Sequence, residues 1–486
     1  MTEAVFVIYA TISLILLIYS AVEFSLLLNY LFRKEKASKK TWKELPRVTV
    51  QLPVYNERYV VERLIDRVAE LDYPKEKLEI QVLDDSSDET VDLVAKKVTY
   101  YQSQGVDILH IRRENRSGFK AGALAEGLKE AKGEFIAIFD ADFLPNDQFL
   151  MEAIGHFENE KVGVVQSRWT YINKNYSVLT RLQAVMLNTH FSVEQAGRNR
   201  SGAFINFNGT AGVWRKSCIE DAGGWEADTL TEDLDLSFRA QMKGWKFQYV
   251  MNLKSPSELP VTLPGYKAQQ YRWSKGAAEC VRKNMKILWK SNESSFWAKW
   301  IGMFHLLNSS VFLLVLGFIL LSFPLAYSLQ SSEETWFYMV IPIFFSSNIL
   351  LLSVFTGGNL LHERRKWFDY LLFPIDLIAF LVVNMGISLY MVVGIIEGYL
   401  GKKSEFVRTP KFNIRSNGEG SMRNKYTNIR ITPLLLFEVA IVSYGVFHMY
   451  YAISVGDMMA TIFGAMFTIG FAYNISSTLY HSIVSE

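Results

Sequence analysis

The sequence predicts an α/β domain with a parallel, Rossmann-like sheet, inserted in an α-helical multi-pass membrane domain. Half of the 486 residues are hydrophobic, but they are spread unevenly. They concentrate before residue 33 and beyond about residue 297, in uninterrupted runs of the roughly 20 residues that cross a bilayer. The block between them alternates short apolar runs with helical patterns, which is how strands joined by crossover helices read. Several of those runs end in acidic and polar clusters, and open parallel sheets bind ligands beyond the carboxyl ends of their strands.

Taken in order, residues 4–32 are apolar apart from Glu23 and a few small polar residues. The stretch is too long for a signal peptide and has no basic flank before it. Arg33, Lys34, Lys36, Lys39 and Lys40 follow, so the positive-inside rule puts this span N-terminus out and residues 33–296 in the cytoplasm. The formal net charge of +2 gives no reason to expect a nucleic-acid partner. Cys218 and Cys280 lack metal-ligand spacing and read as reduced core thiols of a cytosolic domain.

From Arg47 onward the strands read as Val48–Leu52, Leu78–Leu83, Val106–Ile111, Phe135–Phe139 and Val162–Gln166, with helical patterns at Val60–Leu71, Thr90–Gln104 and Ala121–Lys132 between them. Chemistry-capable residues follow the strands at Pro53-Val54-Tyr55-Asn56-Glu57, at Asp84-Asp85-Ser86-Ser87-Asp88 and at Asp140-Ala141-Asp142. In an extended segment Asp140 and Asp142 project from the same side. Two carboxylates aimed at one point suit a hard divalent cation that also holds phosphate oxygens. The amphipathic stretch Tyr176–Asn199 fits either the bilayer surface or the sheet. Thr229 and Glu232 are spaced as a capping box for a helix over 230–243, which leaves Asp233 free for other work.

The C-terminal part, 297–486, reads as spans at about 300–328, 337–356, 432–452 and 458–478. The stretch 371–400 is also apolar enough to span, but the basic runs on both sides of it, His362–Lys366 and Lys402–Arg430, both favour the cytoplasm. It is therefore taken as an interfacial or re-entrant helix ahead of a cytoplasmic loop at about 401–430, which leaves five spans in all.

Together these residues fit glycosyl transfer from a nucleoside diphosphate. Tyr55 supplies a stacking ring for the base, and Asp84 or Asp85 an acceptor for its N–H. Asp140 and Asp142 hold a cation on the diphosphate, with Lys120 and Arg272 as further positive charge. Asp233 is the candidate general base for the acceptor hydroxyl, and Trp273 a floor for the acceptor sugar.

Pro53–Glu57, Val82–Asp88, Gly118-Phe119-Lys120-Ala121-Gly122-Ala123-Leu124, Asp140–Asp142, Phe207–Gly212, Thr231-Glu232-Asp233 and Gln269-Gln270-Tyr271-Arg272-Trp273 occur in that order. The set resembles a processive family 2 glycosyltransferase of the cellulose synthase superfamily. It is most like the cellulose-synthase-like A and C branches, which make mannan, glucomannan and glucan backbones. The resemblance implies a cytoplasmic GT-A glycosyltransferase domain, Mg²⁺ or Mn²⁺ as cofactor, UDP-glucose or GDP-mannose as donor, and inversion at the anomeric carbon onto a growing polysaccharide. It assigns Pro53, Tyr55, Glu57, Asp84, Asp85, Lys120, Asp140 and Arg272 to the nucleotide sugar and Asp140 and Asp142 to the metal. Asp233 is then the base, and Glu232, Gln269 and Trp273 bind the acceptor. Phe406, Thr409 and Lys411 match part of the Phe-x-Val-Thr-x-Lys-Gly gating loop of cellulose synthases, although Arg408 and Phe412 depart from it. No cyclic-dinucleotide module or zinc finger is recognisable, so regulation by either is not expected. Glu23, Asp376 and Glu397 lie in apolar surroundings, near the interfaces or facing a channel for the polymer.

The resulting expectation is a multi-pass enzyme of the cell membrane that polymerises a hexose on the cytoplasmic face and translocates the product. One rival is a single-transfer lipid glycosyltransferase of the ceramide or polyprenyl-phosphate kind, which shares the early Asp motifs. The other is a catalytically silent membrane scaffold or transporter, against which the full set of carboxylates speaks.

Overall fold

The computed structural model describes residues 2–35, 39–329, 340–361, 367–404, 409–414 and 433–484. The chain starts with a 31-residue helix, α1 (Thr2–Phe32), and enters a seven-stranded sheet. The strands are β1 (Val48–Val54), β2 (Leu78–Asp84), β3 (Ile108–Arg112), β4 (Phe135–Ile138), β5 (Val162–Tyr171), β6 (Gly212–Arg215) and β7 (Lys246–Ser257). Their spatial order is β3-β2-β1-β4-β6-β5-β7, and only β6 runs antiparallel to its neighbours. Four crossover helices, α2 (Val61–Ala69), α3 (Thr90–Ser103), α4 (Phe119–Glu130) and α5 (Phe149–Gly155), alternate with the first five strands. The chain order reverses between β1 and β4, so the carboxyl ends of these strands face the crevice where such sheets bind ligands.

Both faces of the sheet are covered. Val48, Val50 and Leu52 of β1 are fully buried in one apolar cluster with Val61, Leu64 and Ile65 of α2. Ile136 and Ile138 of β4 point the other way, into a cluster with Leu124 of α4 and Phe207. This second cluster also takes in Leu26 and Leu27 of α1 and residues of α6 (Val178–Thr189) and α7 (Gln195–Ser201). The stretch read as one amphipathic helix is thus α6 and α7 joined by a π-helical turn at His190–Glu194. It is enclosed on both sides: Ala184 and Leu187 meet the sheet cluster, while Leu179 and Leu182 meet Phe373 and Leu377.

After α8 (Lys216–Asp221) comes α9 (Glu232–Met242), and β7 leads into the 28-residue α10 (Leu263–Lys290). The rest is helical: α11 (Phe296–Leu307), α12 (Val311–Leu329), α13 (Val340–Leu360), α14 (Trp367–Leu400), α15 (Leu434–Ser454) and α16 (Met458–Val484). Among the described residues five helices are long and apolar enough to cross a membrane: Ala4–Phe32, Phe296–Ser322, Trp367–Leu400, Leu434–Ser454 and Met458–Ser482. This set includes the helix that contains 371–400, which the sequence places at the interface, and does not include Val340–Leu360, which overlaps the span expected at about 337–356. Helix α14 lies along the helices that carry the sheet. Asn384 accepts from the Tyr266 hydroxyl of α10 at 3.1 Å, and a Cβ on Gly398 would fall 2.6 Å from the Lys275 carbonyl oxygen.

Four carboxylates of the apolar helices meet cations on the sheet-bearing side. Glu23 faces Arg198 of α7 at 3.6 Å, Asp376 faces Arg181 of α6 at 2.9 Å, and Glu397 faces Lys275 of α10 at 3.1 Å. Glu438 of α15 accepts from Lys267 of α10 at 3.0 Å and from Asn474 of α16 at 2.9 Å. Burying such charges is tolerable only when they are paired.

Candidate active site

An open cleft lies over the carboxyl ends of β1, β2 and β4. It is lined by Pro53 near the end of β1, Tyr55 and Glu57 after β1, Asp85 after β2, Lys120 of α4, Asp140 and Asp142 after β4, and Arg272 of α10. Thr409 and Lys411 join them from a segment far along the chain. Four residues other than glycine have positive φ among those described: Asn56, Phe119, Ala211 and Asn413. Each lies within two residues of a group at the cleft or its floor, and such strain persists where the surroundings over-determine it.

The two carboxylates after β4 sit in a turn rather than in the strand, since β4 ends at Ile138 and the Phe143 N–H closes back on the Asp140 carbonyl. Both still face the cleft, and each meets an ammonium. Lys120 Nζ is 2.5 Å from Asp140 Oδ1 and donates to the Gly209 carbonyl at 2.8 Å. Lys411 Nζ is 2.6 Å from Asp142 Oδ2. Two hard oxygen donors on one wall, balanced here by ammonium groups, fit a divalent cation. A different acidic group, Glu226, Asp228 and Asp235, also has metal-like spacing. Its centre is already taken by Lys283 Nζ, at 2.6, 2.7 and 3.0 Å from these carboxylates.

Asp233 lies at the start of α9, just below Lys120. A Cβ on Gly209 would be 3.1 Å from Asp233 Oδ2 and 3.6 Å from Lys120 Nζ. Gly209 has φ +77°, so a bare, left-handed residue lets the chain pass between base and ammonium. Burial raises the Asp233 carboxyl to about 7; neighbouring Glu232 pushes the same way and Lys120 opposes. Burial also raises Glu232, against the pull of Lys120. The Lys120 ammonium is favoured by Asp140, Glu232 and Asp233, which outweigh its own desolvation. Burial lowers Arg272 while the charges of Glu232, Asp140, Asp233 and Asp142 hold it up. A cation and a carboxyl with an ionisation near neutral pH thus lie side by side.

The capping box does not form. Helix α9 begins at Glu232 with Thr231 as N-cap, and no side chain caps it. The Thr231 hydroxyl lies 3.4 Å from Cys280 Sγ on α10, beside Gly276, so close packing of α10 draws it away. Glu232 is therefore a buried acid at the helix start, close enough to shift both Asp233 and Lys120.

Of the two adjacent acids at the end of β2, Asp85, which follows the strand, reaches the cleft and Asp84, its last residue, does not. Asp84 points to the other side of the strand, fully buried, with His110 Nε2 at 2.9 Å and the Ser86 N–H at 2.9 Å. Asp85 is held by Nε and Nη2 of the Arg113 side chain, one on each carboxylate oxygen. Arg116, which sequence reasoning missed, lies over the Tyr55 ring at 3.4 Å and lines the cleft. Gln269 and Trp273 are half-buried on α10, with Trp273 packed on the second core cluster. Phe406 lies outside the described residues.

Residues 46–276 match the family model "Glycosyltransferase like family 2". A probable glucomannan 4-β-mannosyltransferase of Oryza sativa is 46% identical over 52% of this chain and 45% of its own length. A second one from rice is 38% identical over 76% of this chain and 66% of its own, and a glucomannan 4-β-mannosyltransferase of Arabidopsis thaliana is 43% identical over 52% and 49%. The chain thus spans between about half and two thirds of the curated relatives it matches. A solved mannosyltransferase of Pyrobaculum calidifontis, in complex with GDP-Man and Mn²⁺, superposes with a TM-score of 0.55 at 18% identity, over 83% of this chain and 100% of that one. At that identity the likeness is one of fold.

Proposed function

This chain belongs to the family 2 glycosyltransferases, and from that premise we propose that it is a processive, inverting membrane hexosyltransferase that builds a β-linked glucomannan from a nucleotide sugar. The observation that carries the proposal is that Asp140, Asp142 and Lys120 line the cleft at the β1/β4 crevice while Asp233, which is not among the lining residues, lies behind Lys120 beside Gly209. Of the two donors left open by the sequence, the mannosyl one, GDP-mannose, is favoured by the curated relatives, which are named as glucomannan 4-β-mannosyltransferases.

Asp140 and Asp142 would hold Mg²⁺ or Mn²⁺, which supplies charge for the diphosphate when bound. The remaining work belongs to the protein. Tyr55 and Arg116 form a stacked pair against which the base lies, with Asp85 within reach of its N–H. Lys120 and Arg272 place positive charge where the leaving diphosphate gains negative charge. Asp233 accepts the acceptor hydroxyl proton as that oxygen attacks the anomeric carbon and the bond to the diphosphate breaks. Glu232, Gln269 and Trp273 hold the acceptor sugar at the same end.

The catalytic block faces the cytoplasm in this reading, because basic residues flank the first span on that side. Contacts of α14 with α6 and α10 along much of its length support keeping it at the interface. Translocation of the polymer is the further step this layout serves.

The test uses the full chain in nanodiscs with Mn²⁺ or Mg²⁺ and a panel of radiolabelled nucleotide sugars. Counts retained at the chromatogram origin from GDP-mannose, and lost after digestion with a β-1,4-mannanase, are expected. Mobile, organic-soluble product would favour single transfer to a lipid. No hydrolysis or transfer with any donor would leave a scaffold.

A further inference from the structure

Lys411 reaches the cleft from a segment 269 residues beyond Asp142, and a buried carboxylate fixes that segment in place. Glu258 follows β7 and is 4% exposed. Its Oε1 accepts the Phe412 N–H at 2.8 Å and its Oε2 the Asn413 N–H at 3.0 Å, while Arg63 of α2 closes on Oε2 at 3.1 Å. Arg63 also donates to the Asn413 side-chain oxygen, and Asn413 has φ +58°. Phe412 and Ile414 are buried against Val261. The segment is thereby held by a charge, by backbone hydrogen bonds and by apolar packing. It presents two groups to the cleft: the Lys411 ammonium on Asp142, and a buried Thr409 hydroxyl that has no hydrogen-bond partner among the described residues.

An ammonium 2.6 Å from Asp142 stands where a divalent cation would take its charge. A cation arriving alone must displace this ammonium, whose backbone is held beside the cleft, and must then sit close to it. A diphosphate arriving with the cation changes this, because its oxygens offer the displaced ammonium a new charged acceptor nearby.

We propose that Glu258 is a positioning residue for this cleft. By clamping 409–414 it keeps Lys411 on Asp142, so that the divalent cation and the nucleoside diphosphate load together and not singly. The inference rests on the cleft taking a nucleotide with a divalent cation.

The full-length protein in nanodiscs is titrated with Mn²⁺ by electron paramagnetic resonance, alone and with GDP or UDP. Wild type is expected to bind Mn²⁺ weakly alone and much more tightly with one nucleotide. Glu258→Gln gives up a charged acceptor, and Lys411→Met removes the competitor without touching the buried clamp. Both are expected to bind Mn²⁺ alone about tenfold more tightly, as losing one charge-assisted contact predicts, and to narrow the gap between the two conditions. Damage to the fold alone would weaken binding, so the sign separates the two. Variants of unchanged melting temperature that bind Mn²⁺ as wild type does, with and without nucleotide, would overturn the inference. Absence of Mn²⁺ binding by every form under every condition would overturn the donor reading itself, and the inference with it.

Discussion

Replacing Asp233 by Asn removes the proton acceptor while keeping volume and helix start. A positioned general base contributes about 10²- to 10⁴-fold, so kcat is expected to fall by at least about 100-fold with little change in donor affinity. The wild-type pH profile carries the second half of this prediction. Burial raises the Asp233 carboxyl to about 7. A base must be ionised to act, so activity is lost as pH falls through 7, and the ionised fraction rises roughly tenfold between pH 6 and pH 8. The neighbours give this limb a direction. Glu232 raises Asp233 and Lys120 lowers it, so Glu232→Gln should move the acidic limb to lower pH and Lys120→Met to higher pH. The assay is nucleoside diphosphate release at saturating donor from pH 5 to 9, using folded protein of each variant. An Asp233→Asn enzyme that retains more than about a tenth of wild-type turnover would refute the assignment, since that is too little loss for a general base. Limbs that move the opposite way would refute the electrostatics.

Other expectations follow from the same cleft. Asp140→Asn and Asp142→Asn should each lower kcat/KM by about 100-fold or more, in line with the several kcal/mol a bound metal contributes, with Mn²⁺ resonance reporting the lost binding. Chelation with EDTA should abolish transfer and added Mn²⁺ or Mg²⁺ restore it; activity that survives exhaustive chelation would exclude metal dependence. Arg116→Ala should raise donor KM about 3- to 30-fold with kcat nearly unchanged, since a cation over an aromatic ring contributes about 0.5–2 kcal/mol. Gly209→Ala should lose about 1–2 kcal/mol of stability from its left-handed backbone, read by thermal melting, together with turnover, because the new methyl presses on Asp233.

Strands β1 to β5 were legible because each is a run rich in apolar residues between turn residues, and all but the edge strand β3 are buried along most of their length. β6 is four residues long and β7 carries Lys246 and Lys254 with breaks in its register, so neither shows a clear period. The cleft residues Tyr55, Lys120, Asp140 and Asp142 could be read because they follow strands directly or sit in the turn that opens the next helix. Which of Asp84 and Asp85 faces the cleft could not, since that depends on the pleat and on His110 two strands from β1. The Thr229/Glu232 spacing suggests a capping box that does not form, because α9 starts at Glu232 and not at Leu230, which leaves Thr229 two residues before the N-cap Thr231. Glu258 and Arg116 act through partners far along the chain, at Phe412 and Tyr55, and local spacing carries no trace of either.

The ion pairs between the apolar helices and the sheet-bearing helices have a practical corollary for anyone cutting the chain. A fragment ending before α11 and lacking α1 would keep Arg181, Arg198, Lys267 and Lys275 but lose Asp376, Glu23, Glu438 and Glu397. Lys275 is fully buried and would become a charge without its counter-charge beside an exposed apolar face, whereas Arg198 would keep Glu194 at 3.0 Å. Such a fragment should be recovered as aggregate, and changing those four cations to neutral residues should do more for its solubility than any change on the cleft side.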